Sequence, residues 1–360
     1  MLRYGQVQIP HHTRRPLSMH PLEKKFQAVV RDTNLFLPGD RVLVGFSGGP
    51  DSTALLLLLA GLRSVFSISL AALYVNHGLR PAAATAADEE HVRNVCRALD
   101  VRLAIRRLDV ARVARARRTG IEDAARVCRH AALRTTAQRL AASRIALGHT
   151  ADDQAEELLL RLVRGAGRGG LAGMRFIRDG LLVRPLLSFR KQELLAFLRD
   201  RGVGFCHDES NDDLCFVRNR IRRRLLPFLA AEFNPNITTT LVHTADILRQ
   251  EDELLARLAG QAAQEIVLRP ADRPEIRLRR SRLLATPVAL GRRVLEQVLI
   301  ELGCPPRFEH VEAVRRLALA PPGKRLHLPR GLRVRGERDV LVLLYPQGRR
   351  RVRGDLETVF

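Results

Sequence analysis

The chain has 360 residues, of which 61 are Lys or Arg and 38 are Asp or Glu, so its formal net charge is +23. This charge predicts a polyanionic partner, because a strongly basic protein attracts polyanions and releases their counterions on binding. Hydrophobic residues make up 46% of the chain, which excludes wholesale disorder, and the length predicts two or three domains.

The five cysteines are scattered along the chain, and none belongs to a C-x-x-C pair. This argues against a disulfide framework, a zinc ribbon or an iron–sulfur cluster, and predicts a reducing, cytoplasmic compartment. The longest apolar stretch, from Ala54 to Leu62, is too short to cross a bilayer, so no membrane association is expected. Residues 1–20 lack an apolar signal core and are expected to form a loose leader.

Residues 21–230 alternate strand and helix patterns and form the first predicted domain. Near-continuous apolar strands separated by helices predict an α/β fold with a parallel, doubly wound sheet covered on both faces. Ligands of such a sheet bind at the carboxyl ends of its strands. The predicted strands are 41–46, 68–76, 101–108 and 144–148, and the predicted helices are 52–62, 86–99, 120–140 and one beginning near Asp152.

The rest of the chain divides into a predicted helical linker, 231–268, and a smaller α+β domain, 269–360. Within the second of these, the segment 271–320 has a basic, helical pattern. Three later runs alternate apolar and polar residues, as strands do. These runs are 325–328, 332–334 and 340–344.

The segment Ser47-Gly48-Gly49-Pro50-Asp51-Ser52 lies directly after the first predicted strand and before the first predicted helix. Two adjacent glycines let backbone N–H groups converge on an anion, and the two hydroxyls and the helix N-terminus add to the attraction. Asp51 adds negative charge to this cradle, which makes sense if Mg²⁺ joins it to phosphate oxygens. The alternative is a glycine turn in which Asp or Ser caps the helix.

The sequence supports neither of two other nucleotide-binding motifs. The only Gly-Lys pair, Gly323-Lys324, is followed by Arg325, so the chain has no Walker A sequence. A G-x-G-x-x-G pattern begins at Gly165, but it follows a helix rather than a strand, which excludes a dinucleotide site.

An acidic cluster opens the helix that follows the fourth strand and His149. On a helix, Asp153 and Glu156 lie on one side, and in so basic a chain they are candidates to hold an ammonium group or Mg²⁺. The alternative is N-terminal capping, since acids there suit the helix dipole. His77, after the second strand, should face the same crevice unless it serves the turn at Gly78. The cluster is Asp152, Asp153, Glu156 and Glu157.

Several arginines are further candidates. Arg126, at the start of the preceding helix, is a candidate to join the acidic cluster, where a surface ion pair is the alternative. Arg164 follows the acidic cluster and is a candidate to neutralise leaving phosphates. A dense run near residue 220 would repel itself unless an anion lies nearby, although a solvated helix face is the alternative. Aromatics are only 4% of residues, so extensive base stacking is not expected. The run is Arg218, Arg220, Arg222, Arg223 and Arg224.

The motifs together resemble a known family. SGGPDS resembles the PP-loop of N-type ATP pyrophosphatases, and residues 38–230 as a whole are similar to tRNA(Ile)-lysidine synthase, with a weaker likeness over 323–336. His130, Thr150 and Glu157 depart from the family pattern, and we expect them to alter packing or local charge without changing the reaction. The further motifs are VNHGLR (75–80), IEDAAR (121–126), GHTADDQAEELLLRLVRGAGRGGLAGM (148–174), RPLLSFRKQEL (184–194) and HDESNDDLCFVRNRIRRRLLP (207–227).

The resemblance implies a ligase that uses ATP to adenylate the wobble cytidine (position 34) of tRNA(Ile) bearing a CAU anticodon. Free L-lysine then attacks C2, which gives lysidine, AMP and pyrophosphate. A PP-loop tRNA thiolase is the alternative, disfavoured because no cysteine pair is present, and dimerisation stays open.

The resemblance also implies roles for individual residues. Residues 269–360 are expected to bind the tRNA, and Asp51 is expected to hold Mg²⁺. The catalytic candidates are Asp51, Asp153, Glu156, Arg126 and Arg164, the ATP-binding candidates are Ser47, Gly48, Gly49, Pro50, Asp51, Ser52, His77 and His149, and the tRNA candidates are the five arginines from 218 to 224.

Overall fold

The computed structural model describes residues 19–345 except 166–167, 207–214 and 272–274. Most of the predicted leader, and the motif residues 207–214, therefore lie outside the described residues. The chain forms two compact units, one ending at Leu248 and the other beginning at Arg249. The boundary falls within a long helix, Ile237–Ile266, in the region that the sequence assigns to a helical linker.

A six-stranded sheet forms the centre of the first unit. Its strands are β1 (Arg41–Gly45), β2 (Ser69–Asn76), β3 (Arg102–Arg107), β4 (Arg144–Ala146), β5 (Ile177–Arg178) and β6 (Leu182–Val183). Their order is β3-β2-β1-β4-β6-β5, and every pair is parallel except β5 with β6. The predicted parallel α/β fold is confirmed, and the four predicted strands are present with shorter ends.

Helices cover both faces of this sheet. Alternate residues of β1 enter different cores, because successive side chains of a strand point to opposite faces. Val42 and Val44 pack with Leu55 of α2, whereas Leu43 packs with Leu133 of α5. The helices are α1 (Pro21–Asp32), α2 (Pro50–Leu62), α3 (Ala82–Ala98), α4 (Val110–Arg117), α5 (Ile121–Arg139), α6 (Ala151–Val163), α7 (Arg168–Leu171) and α8 (Lys191–Asp200).

A continuous helical run completes the first unit before the long helix begins. It consists of α9 (Val217–Arg220), a π-helical turn (Ile221–Leu225) and α10 (Leu226–Glu232), and α11 (Ile237–Ile266) follows it. Ile221 packs against Leu159 and Leu160 of α6. The arginine-rich run is thus attached to the helix that carries the acidic cluster.

The second unit confirms the predicted α+β character, with an antiparallel sheet in the order β7-β8-β11-β10-β9. The prediction of helix throughout 271–320 was wrong for β8, where buried Ile276 and Leu278 alternate with polar residues. No helix in the described chain combines the length and apolarity that a bilayer span requires. The elements are β7 (Val267–Leu268), β8 (Glu275–Arg279), α12 (Arg280–Ala285), α13 (Val288–Glu301), α14 (Phe308–Leu319), β9 (Arg325–His327), β10 (Arg333–Gly336) and β11 (Val340–Leu344).

Candidate active site

The loop between β1 and α2 is held in shape by its own serines and glycines. The hydroxyls of Ser47 and Ser52 lie 3.0 Å apart, and Ser52 Oγ accepts the backbone N–H of Ser47 at 3.2 Å. Gly48 has φ +80°, and a Cβ there would lie 2.9 Å from Cys206 Sγ, so both the conformation and the space require glycine. Pro50 starts α2, where its missing N–H costs no hydrogen bond.

This loop and the carboxyl ends of β2 and β4 line one pocket. Ser47, Asp51, Ser52, His77 and His149, all predicted site residues, lie in its lining. The same lining contains four apolar side chains, which can contact a flat, weakly polar group. We call these side chains, Leu73, Val75, Leu133 and Leu147, the apolar wall.

Gly148 brings the end of β4 against the start of α2. A Cβ at this position would lie 3.2 Å from the backbone carbonyl of Asp51 and from the N–H of Ser52. Backbone atoms cannot move aside as a flexible side chain can, so any larger residue would push His149 and the loop apart. This close approach is what joins the two predicted motifs into one site.

Asp51 is the acidic group of the pocket. Burial raises the pKa of Asp51 to about 6, although the nearby Lys191 ammonium opposes the rise. Among the described residues its Oδ1 atom is buried and accepts no hydrogen bond. A buried, unpartnered carboxylate oxygen fits a hard cation such as Mg²⁺. The described residues hold no group of three His, Cys, Asp or Glu suited to a metal, so phosphate and water oxygens would have to supply the remaining ligands.

Lys191 links Asp51 to the acidic cluster, and sequence analysis missed it. Its Nζ lies 3.5 Å from Asp51 Oδ2 and 3.8 Å from Asp153 Oδ1. Asp152 Oδ2 accepts the backbone N–H of Lys191 at 2.8 Å, which fixes the first residue of α8 beside α6. The motif RPLLSFRKQEL contained this lysine, but only the fold brings it to Asp51.

Asp153 both caps α6 and faces cations. Its Oδ2 accepts hydrogen bonds from the N–H and the hydroxyl of Thr150, at 2.9 and 3.0 Å, and Thr150 Oγ1 accepts the Asp153 N–H in return. Burial favours the protonated acid, but Lys191 and Arg218 outweigh it and hold the pKa of Asp153 at about 2. The departure at Thr150 therefore supplies a helix cap.

Glu156 is the most deeply buried acid of the cluster, with 1% exposure. Arg222 binds both of its oxygens, at 2.6 and 2.8 Å, and Arg218 Nε lies 3.1 Å from Oε2. Two of the five arginines in the predicted tRNA-binding run thus point inward and pair with acid. The other three are exposed: Arg220, Arg223 and Arg224.

His149 is held as a neutral ring. Arg184 Nε donates to His149 Nδ1 at 3.2 Å, and burial lowers the pKa of His149 to about 3, so the ring proton lies on Nε2. Burial, followed by the charge of Arg129, lowers the pKa of His130 to about 4. Arg129 lines the pocket and was also missed, whereas Arg126 and Arg164 are exposed and lie outside the pocket lining in the described chain. Their catalytic role stays a prediction.

The comparisons with known proteins agree with this geometry. The model of the PP-loop domain family matches residues 19–229. The chain is 38% identical to tRNA(Ile)-lysidine synthase of Geobacter sulfurreducens, over 85% of this chain and 65% of that protein. It is also 38% identical to the enzyme of the same name from Gloeobacter violaceus, over 80% of this chain and 85% of that protein. The identity to the enzyme from Leifsonia xyli subsp. xyli is likewise 38%, over 82% of this chain and 89% of that protein. The chain thus spans just under two thirds of the Geobacter relative.

A solved structure shares the fold at low identity. It is the U34-tRNA thiolase NcsA from Methanococcus maripaludis with its [4Fe-4S] cluster, with a TM-score of 0.53 and 17% identity. The match covers 63% of this chain and 79% of that one. At this identity it supports the parallel α/β architecture alone.

Proposed function

Because this chain belongs to the PP-loop domain family and, within it, to the tRNA(Ile)-lysidine synthases, we propose that it joins free L-lysine to the wobble cytidine of tRNA(Ile) bearing a CAU anticodon. ATP adenylates the C2 oxygen of the cytidine and releases pyrophosphate. The side-chain amine of lysine then attacks C2, and AMP leaves. The observation that carries this proposal is the pocket in which the loop 47–52, His149 and the unpartnered carboxylate oxygen of Asp51 meet.

ATP would occupy this pocket with its phosphates at the loop. Ser47, Ser52 and the N-terminus of α2 supply the donors, and the apolar wall suits the nucleoside. Neutral His149 can donate from Nε2 to a phosphate or ribose oxygen. Asp51 would hold Mg²⁺, which when bound neutralises phosphate charge.

We propose that Asp153 binds the ammonium group of the substrate lysine. Glu156 holds Arg218 and Arg222 in place beside it. Asp153 Oδ2 accepts two hydrogen bonds from Thr150, whereas Oδ1 accepts one long hydrogen bond, from Arg222 at 3.4 Å, so Oδ1 can accept a further, shorter one from an ammonium group. Exposed Arg164 remains our candidate to stabilise the departing pyrophosphate, and exposed Arg126 remains a catalytic candidate beside the acidic cluster.

A thiolase is the alternative, and two observations argue against it. The sequence contains no cysteine pair at metal-binding spacing. Burial raises the pKa of Cys96 and of Cys206 to about 12, which keeps both as unreactive thiols at neutral pH. We further propose a cytoplasmic location and a tRNA-binding role for the second unit.

The direct test incubates the protein with ATP, labelled lysine and unmodified tRNA(Ile) bearing CAU, followed by nucleoside analysis. Label should enter lysidine at one per tRNA, and AMP and pyrophosphate should form in equal amounts. The matched control is the same tRNA with a UAU anticodon, which lacks the target cytidine. A sulfur-modified nucleoside in place of lysidine, or no label in the nucleosides, would contradict the proposal.

The pH dependence of ATP use should report the ionisation of Asp51. Only the carboxylate can hold a cation, so kcat/KM for tRNA-dependent ATP–pyrophosphate exchange should rise with pH through about 6. His149 and His130, with pKa values of about 3 and about 4, titrate below this window. Lys191→Met should shift this rise in kcat/KM to higher pH, because Lys191 lowers the pKa of Asp51. Lys25→Met, at an exposed lysine, should leave the rise at the same pH. If Lys191→Met leaves the pH of the rise in kcat/KM unchanged, Asp51 is not the group whose ionisation is observed.

The exposed arginines of the run should contribute to the salt dependence of tRNA binding. Replacing Arg220 and Arg224 with Gln should flatten the slope of log K against log salt by about one unit for each phosphate that is no longer neutralised. Arg102→Gln is the control, because Arg102 is exposed at the amino end of β3, away from the carboxyl ends that form the site. Equal slopes for the double variant and the wild type would reassign these arginines to structure.

A further inference from the structure

The helical run Val217–Glu232 has two differently used sides. Its inner side carries Arg222 and Ile221, which bind Glu156 and pack on α6. Its outer side is exposed and carries arginines first and then an aromatic pair at the end of the run. We call this outer side the Arg–Phe face, and it comprises Arg220, Arg223, Arg224, Phe228 and Phe233.

The two phenylalanines are unusually open to solvent for residues of their size. Phe228 is 54% exposed and Phe233 is 72% exposed, and their ring centroids lie 5.7 Å apart in an edge-to-face arrangement. The Phe233 N–H donates to the carbonyl of Leu229, which places the backbone of Phe233 at the end of α10. Large apolar groups held together in solvent mark an interaction site rather than a core.

The charge beside the rings indicates the kind of occupant. The exposed Arg224 lies four residues before Phe228, and the exposed Arg220 and Arg223 precede Arg224 along the same helical run. Glu232 is the one exposed acid within the described run. A basic surface that ends in exposed aromatic rings suits a single-stranded nucleic acid, whose phosphates pair with arginine while its bases stack on rings.

We propose that unpaired bases of an RNA stack on Phe228 and Phe233 while the three arginines hold the adjoining phosphates. That this RNA is the substrate tRNA rests on the function proposed above. The low aromatic content argues against extensive stacking, and the contact proposed on this surface is a local one. Two rings in the right place suffice for a local contact.

Affinity measurements test stacking separately from charge. The double variant Phe228→Leu/Phe233→Leu should bind tRNA about tenfold more weakly for each base that stacks, with an unchanged salt slope because no charge is removed. Phe228→Tyr/Phe233→Tyr should retain wild-type affinity, since the ring is kept. Leu37→Ala, at a residue 55% exposed before β1, is the control for loss of an exposed apolar group. Wild-type affinity of the leucine variant would overturn the proposal.

A fluorescence experiment detects the stacked base itself. The chain has no Trp, so Phe233→Trp introduces a single reporter, and Leu37→Trp is its control. A hairpin with the sequence of the tRNA anticodon arm should quench the fluorescence of the Phe233→Trp variant but not that of the Leu37→Trp variant. Heparin, a polyanion without bases, should quench neither. Equal quenching by heparin, or no quenching by the hairpin, would refute stacking.

Two further outcomes distinguish this inference from the proposed function and from an interface between two copies of the chain. If wild-type protein forms no lysidine but the hairpin still quenches the Phe233→Trp variant, the proposed function fails and the RNA surface stands. If the leucine variant instead changes the sedimentation coefficient while binding tRNA normally, the Arg–Phe face joins two copies of the chain, and the inference is wrong.

Discussion

Asp51→Asn is expected to lower tRNA-dependent ATP–pyrophosphate exchange by about a thousandfold, the scale on which a preorganised electrostatic group contributes. Asn keeps the shape of the side chain but removes the charge that a cation needs. tRNA binding should persist, because the charged surfaces assigned to tRNA lie on other elements. The measurements are pyrophosphate exchange at saturating ATP and tRNA affinity by filter binding.

The same substitution should make the protein more stable, which distinguishes a functional acid from a structural one. Burial raises the pKa of Asp51 from 3.8 to about 6, so the folded state prefers the neutral acid. Stability from this preference is present below about pH 4 and is lost as pH rises through about 6. Asn is neutral throughout, so at pH 7.5 it should add about 3 kcal/mol to the free energy of unfolding, and below pH 4 nothing.

The matched control is Asp100→Asn, at an exposed turn residue with φ 53°, a conformation that Asn also accepts. It should change neither exchange nor the melting temperature at any pH. Asp51→Asn with exchange within tenfold of wild type would remove Asp51 from the reaction. Full loss of exchange without thermal gain at pH 7.5 would instead mean that Asp51 has a compensating partner.

Much of this site could be predicted from local sequence because its chemistry lies where strands end. The β-branched runs fix a parallel sheet, and a parallel sheet brings Ser47, His77 and His149 to one edge whatever the loops do. The glycines of the loop carry their own conformational requirement, visible at Gly48 as a positive φ. These features depend on short segments, so the site is predicted correctly even when the predicted ends of the strands are wrong by a few residues.

Residues that reach the site from far along the chain could not be placed in this way. Lys191 meets Asp51 because β6 pairs beside β4 and so brings α8 to the same edge, and β6 is only two residues long. The arginine run gave no sign of which residues face inward, since all five carry the same charge. Only Ile221 at its centre indicates the buried side. In β8, Arg277 and Arg279 concealed a strand whose buried positions are Ile276 and Leu278.

Glu156→Gln is expected to destabilise the first unit by about 3–5 kcal/mol, the usual result of removing one partner from a buried ion pair. Gln can still accept a hydrogen bond, but Arg218 and Arg222 would lose the only acid that binds both at short range in the described chain. The expected site of damage is local. Amide hydrogen exchange should show lost protection over residues 217–230, together with a lower midpoint of urea unfolding.

Two neighbours on the same helix serve as comparisons. Glu157→Gln removes a partly exposed pair with Arg161, at 2.7 Å and one helical turn away, and a 3.9 Å contact with Arg218, and should cost less than about 1 kcal/mol. Asp153→Asn keeps an oxygen for the Thr150 cap but removes the charge proposed to seat lysine. It should therefore raise the KM for lysine about tenfold, the effect of losing one charge-assisted hydrogen bond, with a smaller loss of stability than Glu156→Gln.

The three variants decide between two roles for the acidic cluster. If Glu156 anchors the arginines, Glu156→Gln unfolds at lower urea and lowers kcat with the population of folded protein, while the KM for lysine stays near wild type. If Glu156 itself seats lysine, its KM effect would match or exceed that of Asp153→Asn at normal stability. The contacts of Glu156 with Arg222, at 2.6 and 2.8 Å, favour the first result, because a carboxylate with both oxygens in short hydrogen bonds has little capacity left for a substrate ammonium, whereas Asp153 Oδ1 accepts only one bond of 3.4 Å.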